Sequence, residues 1–385
     1  MLPGLATRTG TLAYAKRHPG LSYHSMGKTG FFSSEAGFGG YRIHDQVPKH
    51  YGALVKALSS GINLIDTSAN YTDGGSERLI GKVLQDLVAK GEILREEIIV
   101  VSKGGYLQGE NYQLSQQRKT DGNPFCELVQ YDDGLEHCIH PEFLSEQIGR
   151  SLERLGLETI DCYLLHNPEY YLKWAEEHDV PVREAQTEYL HRIREAFIFL
   201  EEEVAKGRIG CYGISSNTFV LPKRIYTFTS LAQIWDIAET INSYNHFRVI
   251  EFPCNLLETS AITENNQPDG ETVLDFAYKK ELAVLINRPL NAIQDNQLIR
   301  LAEKAYEGEA AQEAVDFFKR VSSIDPDWHK ASSLSHLALR ALRSTTGVTA
   351  VLVGMRQAAY VEDILAELRE PCVKEKRRAS WEKIK

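Results

Sequence analysis

Eight short apolar runs, separated by helix-compatible stretches, restrict the folds open to this chain more than any other feature. Seven of them are rich in β-branched residues: 63–67 (NLIDT), 98–103 (IIVVSK), 160–166 (IDCYLLH), 209–215 (IGCYGIS), 249–254 (VIEFPC), 282–288 (LAVLINR) and 348–354 (VTAVLVG). A weaker run at 33–39 (SSEAGFG) precedes them. Near-continuous apolarity implies strands covered on both faces, hence a parallel sheet. Helical patterns fill 49–60, 76–90, 143–155, 189–206 and 333–343; Gly61, Gly91 and Gly207 stand as stops and Ser76 as an N-cap. Repeated strand–helix alternation predicts an α/β chain built as a single (β/α)8 TIM barrel, with a doubly wound sheet as the alternative.

Residues 21–370 are expected to form the barrel, 1–20 a flexible extension and 371–385 a solvated basic tail containing KEKRR at 374–378. Segments 104–140, 258–272 and 296–329 exceed a minimal barrel; long insertions of this kind usually serve as lids or binding loops. The net charge of −10 argues against a nucleic-acid partner. No apolar run approaches the roughly 20 residues of a membrane span, and the first 20 residues contain no signal-peptide core. Six cysteines without a CxxC pair suit a reducing cytoplasm, with Cys162, Cys211 and Cys254 as small buried apolar residues. His137, Cys138 and His140 lack zinc-site spacing, so no metal is expected.

Barrel chemistry gathers at the C-terminal ends of the strands. There the runs carry Asp66, Lys103, His166, Ser215 to Asn217, Glu251, Asn287, Arg288 and Arg356. Asp66, Lys103 and His166 come from successive strands, about 4.8 Å apart from neighbour to neighbour. Tyr71 follows Asp66 in a loop that Gly74 and Gly75 allow to turn tightly. Reducing a carbonyl needs a hydride, which only a cofactor supplies, and a proton. A phenol near pKa 10 is a poor acid at neutral pH. Lys103 is expected to lower that value, Asp66 to aim Lys103, and His166 to orient the substrate oxygen. Taken singly, each residue has a plainer reading: an ion pair, a packing aromatic, a core histidine. Two rival functions remain, a Schiff-base lyase using Lys103 and a non-catalytic subunit that binds cofactor.

The blocks GINLIDTSANYTDGGSERLIGKVL, IIVVSKGG, SLERLGLETIDCYLLHNPE, GRIGCYGISSNTF and GVTAVLVGMRQAAYVED resemble, in order, the motifs of the aldo-keto reductase superfamily. YHSMGKTGFFSSEAGFGGYR resembles its N-terminal hairpin and first strand, so the likeness runs from about residue 22 to about 365. The resemblance implies a catalytic set of Asp66, Tyr71, Lys103 and His166. It implies a nicotinamide cofactor, NADP(H) favoured over NAD(H), held by Gly39, Gly40, Tyr41, Ser216, Asn217, Glu251, Asn287, Arg288, Leu290, Gly354, Met355 and Arg356, with Arg356 on a 2′-phosphate. The substrate would be a small carbonyl compound or the matching alcohol. Three positions depart from the family pattern. Glu251 replaces a Gln that contacts the carboxamide, Cys254 replaces an aromatic that stacks on the ring, and Ile364 replaces an adenine-contacting Asn. Tyr244, Phe247 and Phe252 are the neighbouring aromatics that could restore the stack.

Overall fold

The computed structural model describes residues 1–294, 297–301 and 309–384. Eight parallel strands close into a barrel: β1 (Ala36–Gly39), β2 (Leu64–Asp66), β3 (Ile99–Gly104), β4 (Ile160–His166), β5 (Ile209–Ser215), β6 (Phe247–Pro253), β7 (Ala283–Asn287) and β8 (Ala350–Val353). They lie side by side in chain order, β8 pairing with β1. The strand residues are almost all buried, which is why the runs read as continuously apolar. Alternate side chains along each strand face opposite ways. Ile65, Val100, Leu165 and Ile250 pack outward against the helices. Leu64, Ile99, Val101, Leu164 and Val249 face inward and fill the lower barrel. The next inward positions, moving toward the C-terminal ends, are Asp66, Lys103, His166, Ser215, Glu251 and Asn287. One polar layer therefore sits on top of an apolar plug.

An antiparallel hairpin, Tyr23–Ser25 with Phe32–Ser34, precedes β1 as expected. Both chain ends differ from the sequence reading. Residues 1–20 are not a flexible extension. Helix Arg8–Arg17 is capped by Thr7, buries Tyr14 and places the Tyr14 hydroxyl on the Leu58 carbonyl. The Ala6 amide donates to Asp161 Oδ1 at 2.5 Å, and Asp161 also holds Arg95 at 2.8 Å. This ordering has no periodic signal because the helix is anchored by single buried groups. The basic tail is likewise packed. Arg377 pairs with Asp325 at 2.5 Å, and Trp381 is fully buried edge-on to Trp328. Ser76 is not an N-cap. Gly74 caps helix Gly75–Ala89, and Ser76 is buried inside it, bonding the Gly40 carbonyl and Thr67.

The 104–140 insertion folds as strand Tyr106–Leu107, helix Glu110–Thr120 and strands Val129–Asp132 and Leu135–His137, which make a three-stranded antiparallel sheet. Segment 258–272 contains short helices Ser260–Thr263 and Pro268–Gly270. Of the third insertion, residues 296 and 302–308 lie outside the described residues; its expected helix is seen as Glu309–Ser322. Among the described residues no helix is long and apolar enough to cross a membrane.

Candidate active site

The polar layer forms a connected cluster. Lys103 Nζ, fully buried, lies 2.5 Å from Asp66 Oδ1, 3.2 Å from Glu251 Oε2, 3.2 Å from the Thr67 carbonyl and 3.4 Å from the Tyr71 hydroxyl. The strand register brings these groups together, since Ser215 stands beside both His166 and Glu251. The 67–71 loop is sewn to β3: the Thr67 amide donates to the Val101 carbonyl and the Ala69 amide to the Lys103 carbonyl. Ser68 Oγ meets His166 Nδ1 at 2.9 Å, which leaves Nε2 as the ring nitrogen not engaged by Ser68. The Tyr71 and His166 rings meet edge-on, centroids 5.8 Å apart, and Tyr41 meets the other side of Tyr71 at 5.2 Å. So Asp66, Tyr71, Lys103 and His166 converge.

Backbone geometry around the mouth is unusual. Thr72 and Asp73, Asn167 and Arg288, in the loops after β2, β4 and β7, all have positive φ. Such strain concentrates where loop shape is over-determined by its surroundings. Gly40 is required after β1, because a Cβ there would stand 2.7 Å from Ser76 Oγ and 2.8 Å from the Asp66 carbonyl.

Burial dominates the electrostatics. It raises the Tyr71 phenol above its ordinary value. Lys103 pulls the other way, but the Asp66 and Glu251 carboxylates oppose that pull. The expectation of a lowered Tyr71 value therefore fails. It weighed one ammonium without the burial or the second carboxylate. Burial and the Glu251 charge push Asp66 up to about 8. Lys103 is raised by its carboxylates despite burial, and burial with the nearby Lys103 charge holds His166 well below its usual range. The result is a protonated phenol, a charged lysine and a neutral imidazole at neutral pH.

The groups assigned to the cofactor line the same rim. Ser216 is buried and Asn217 half-buried at the end of β5; the Asn217 amide donates to Glu169 Oε1 at 2.9 Å. Asn287 Nδ2 donates to Glu251 Oε1 at 2.9 Å, while Asn287 Oδ1 is buried with no hydrogen-bond partner among the described residues. Gly39 ends β1 and Gly40 follows it, with Tyr41 exposed beyond them. Gly354 is exposed with open space around it, Met355 is buried, and Arg356 is half-buried with no ion pair among the described residues. Arg288 is already held by Glu258 at 3.2 Å, and Leu290 packs partly against the core.

The aromatics offered as replacements for the stack do not serve. Tyr244 precedes β6, at the opposite end of the barrel, and Phe247 begins that strand. Phe252 faces the helices because it neighbours inward-facing Glu251. Cys254 shares that outward face, and Ile364 is core. Tyr106, Ser68 and Glu169 are site residues that sequence reasoning left unassigned. Tyr106 enters from the insertion, its ring 4.7 Å from that of His166 and its hydroxyl accepting from Asn167 Nδ2. His137 bonds the His166 carbonyl from the same insertion. The HCIH run thus splits. His137 serves the mouth, while Cys138 bonds the Cys126 carbonyl. His140 gathers with Cys126 and Glu142, whose carboxylate pairs with Arg118.

Comparison with known proteins agrees with this architecture. The NADH-specific methylglyoxal reductase of Escherichia coli K12 is 34% identical over 113 residues, a stretch covering 29% of each chain. The L-glyceraldehyde 3-phosphate reductase of the same strain is 22% identical over 367 residues, 91% of this chain and 89% of that one. An aldo/keto reductase structure from Klebsiella pneumoniae, in complex with NADP and acetate, superimposes with a TM-score of 0.54 at 15% identity, covering 92% of this chain and 93% of its own. Residues 36–384 match the sequence profile of the aldo/keto reductase family, and the chain belongs to that family.

Proposed function

We propose that this protein is an NAD(P)H-dependent oxidoreductase that reduces the aldehyde or ketone group of a small molecule, or oxidises the matching alcohol. The observation that carries this reading is the contact of the Tyr71 hydroxyl with Lys103, itself held by Asp66, at the mouth of a closed barrel. Tyr71 donates the proton. Lys103 anchors the hydroxyl and balances the negative charge left on it. His166, neutral and fixed through Ser68, offers Nε2 to orient the substrate oxygen. General acid catalysis of this kind contributes roughly 10²–10⁴-fold.

The cofactor supplies the hydride, and the rim suits it. Asn287 Oδ1, buried and unpartnered, is matched to an amide donor such as the carboxamide N–H. Gly354 leaves room for a phosphate, and the Arg356 guanidinium, with no ion pair among the described residues, suits a 2′-phosphate, which favours NADP(H). One relative is named for NADH and one structural neighbour holds NADP. The Schiff-base alternative is disfavoured because an imine-forming lysine must lose its charge, whereas two carboxylates hold Lys103 protonated.

The test is a tryptophan-fluorescence titration with NADPH and NADH, followed by a panel of aldehydes with the tighter cofactor. Saturable binding and turnover are expected. Binding without turnover of any aldehyde would favour a cofactor-binding regulatory subunit, and no binding would end the reading.

A further inference from the structure

Two carboxylates face one ammonium in the top layer of the barrel. Asp66 and Glu251 both contact Lys103 Nζ, and all three side chains are buried. With every group ionised the cluster carries one net negative charge. Asn287 Nδ2 holds the other oxygen of Glu251 at 2.9 Å and so anchors the carboxylate beside Lys103. Around it stand Tyr71, which remains a neutral phenol, and neutral His166. Glu169, another buried acid, faces the end of β5 from the start of helix Tyr170–Glu177, and Arg288 beyond β7 is matched by Glu258. Once Asp66 ionises, above about pH 8, Lys103 is outnumbered and the balance at the mouth is negative; below that pH Asp66 keeps its proton and the cluster is neutral.

This imbalance matters for a nicotinamide, given the function proposed above. The hydride-donating carbon must come within about 3–3.5 Å of the carbonyl carbon whose oxygen Tyr71 protonates. A ring held for that transfer would lie next to the Lys103 cluster. It is neutral when reduced and cationic when oxidised. We propose that Glu251 stabilises that positive charge, so that the site prefers the oxidised cofactor and favours hydride departure toward the carbonyl. In balance, the hydride carries two electrons to the carbonyl carbon, the C=O π bond opens onto oxygen, and oxygen takes the Tyr71 proton. The substrate is reduced and the ring is left oxidised and cationic. A fixed opposite charge placed where charge develops is a large catalytic term. The corresponding cost is slow release of the oxidised cofactor.

The proposal is tested by dissociation constants rather than turnover. Both forms of the tighter-binding pair, NADPH and NADP⁺ or NADH and NAD⁺, are titrated into the wild type and Glu251→Gln. Above pH 8 the wild type should favour the oxidised form, and Glu251→Gln should reduce that preference roughly tenfold. The wild-type preference should also rise as pH passes about 8, where the cluster gives up its proton. Glu169→Gln should keep that rise and Glu251→Gln should lose it. If Glu251→Gln does not fold, the pH series on the wild type and Glu169→Gln decides, and a flat series overturns the inference. An unchanged ratio in folded Glu251→Gln overturns it while leaving the oxidoreductase reading intact. If neither form binds the wild type, both readings fall.

Discussion

Replacing Tyr71 by Phe removes one oxygen and little else. Among the described residues the hydroxyl receives a single long hydrogen bond, 3.4 Å from Lys103 Nζ, beyond the usual 2.7–3.2 Å range for such bonds. Lys103 keeps Asp66, Glu251 and the Thr67 carbonyl, so its ammonium is not orphaned. The ring contacts with Tyr41 and His166 survive the change. Stability should therefore fall by no more than about 1 kcal/mol. Turnover should fall by roughly 10²–10⁴-fold, about 3–5 kcal/mol of barrier, with cofactor affinity unchanged. The assay follows loss of reduced-nicotinamide absorbance against an aldehyde the wild type accepts, alongside urea unfolding of both proteins. Wild-type turnover in Tyr71→Phe would refute the proton-donor role. A stability loss above about 3 kcal/mol would show instead that the hydroxyl is structural.

Other perturbations reach the remaining parts of the account. Trp381→Ala removes a fully buried ring whose Nε1 donates to Thr345, and should cost about 3–5 kcal/mol in urea unfolding; a negligible effect would return the C-terminal segment to a solvated tail. Arg356→Ala should weaken NADPH binding about tenfold and leave NADH nearly unaffected, as read by fluorescence titration; equal losses would remove the 2′-phosphate assignment. The Asp66 carboxyl is raised from near 3.8 to about 8, so between those values the folded state holds a proton that the unfolded chain releases. Its contribution is full below about pH 4 and is lost as pH rises toward 8. Urea midpoints should show that slope, and Glu251→Gln should flatten it because the opposing carboxylate is gone.

Much of this was legible before any coordinates. A barrel strand is covered on both faces, so each one advertises itself as an apolar run, and 160–166 and 209–215 coincide with β4 and β5. The polar breaks in those runs mark the inward layer, which is why Asp66, Lys103 and His166 stood out. Tyr71 stood out from its place in the loop after Asp66, and the likeness to the family gave it the same role. What sequence patterns missed depends on contacts between distant segments. Ser68 and Glu169 matter because they hold His166 and Asn217, and Tyr106 because an insertion folds back over the mouth. The packed ends at Tyr14 and Trp381 lack periodicity, since each is fixed by a few buried anchors rather than by an amphipathic face. The sign of the Tyr71 shift depends on how much burial outweighs one ammonium, a quantity no spacing encodes. Side-chain parity, once β6 was placed, explained why Cys254 and Phe252 turn from the mouth while Glu251 enters it.

The account rests on hydride and proton meeting at one carbonyl beside Tyr71. It is tested most directly with reduced cofactor deuterated at the transferring position and an aldehyde substrate in ordinary water. Deuterium should appear quantitatively on the product's carbinol carbon and on one face of it only. Product carrying solvent hydrogen at that carbon, or label scrambled between both faces, would contradict direct transfer in this site.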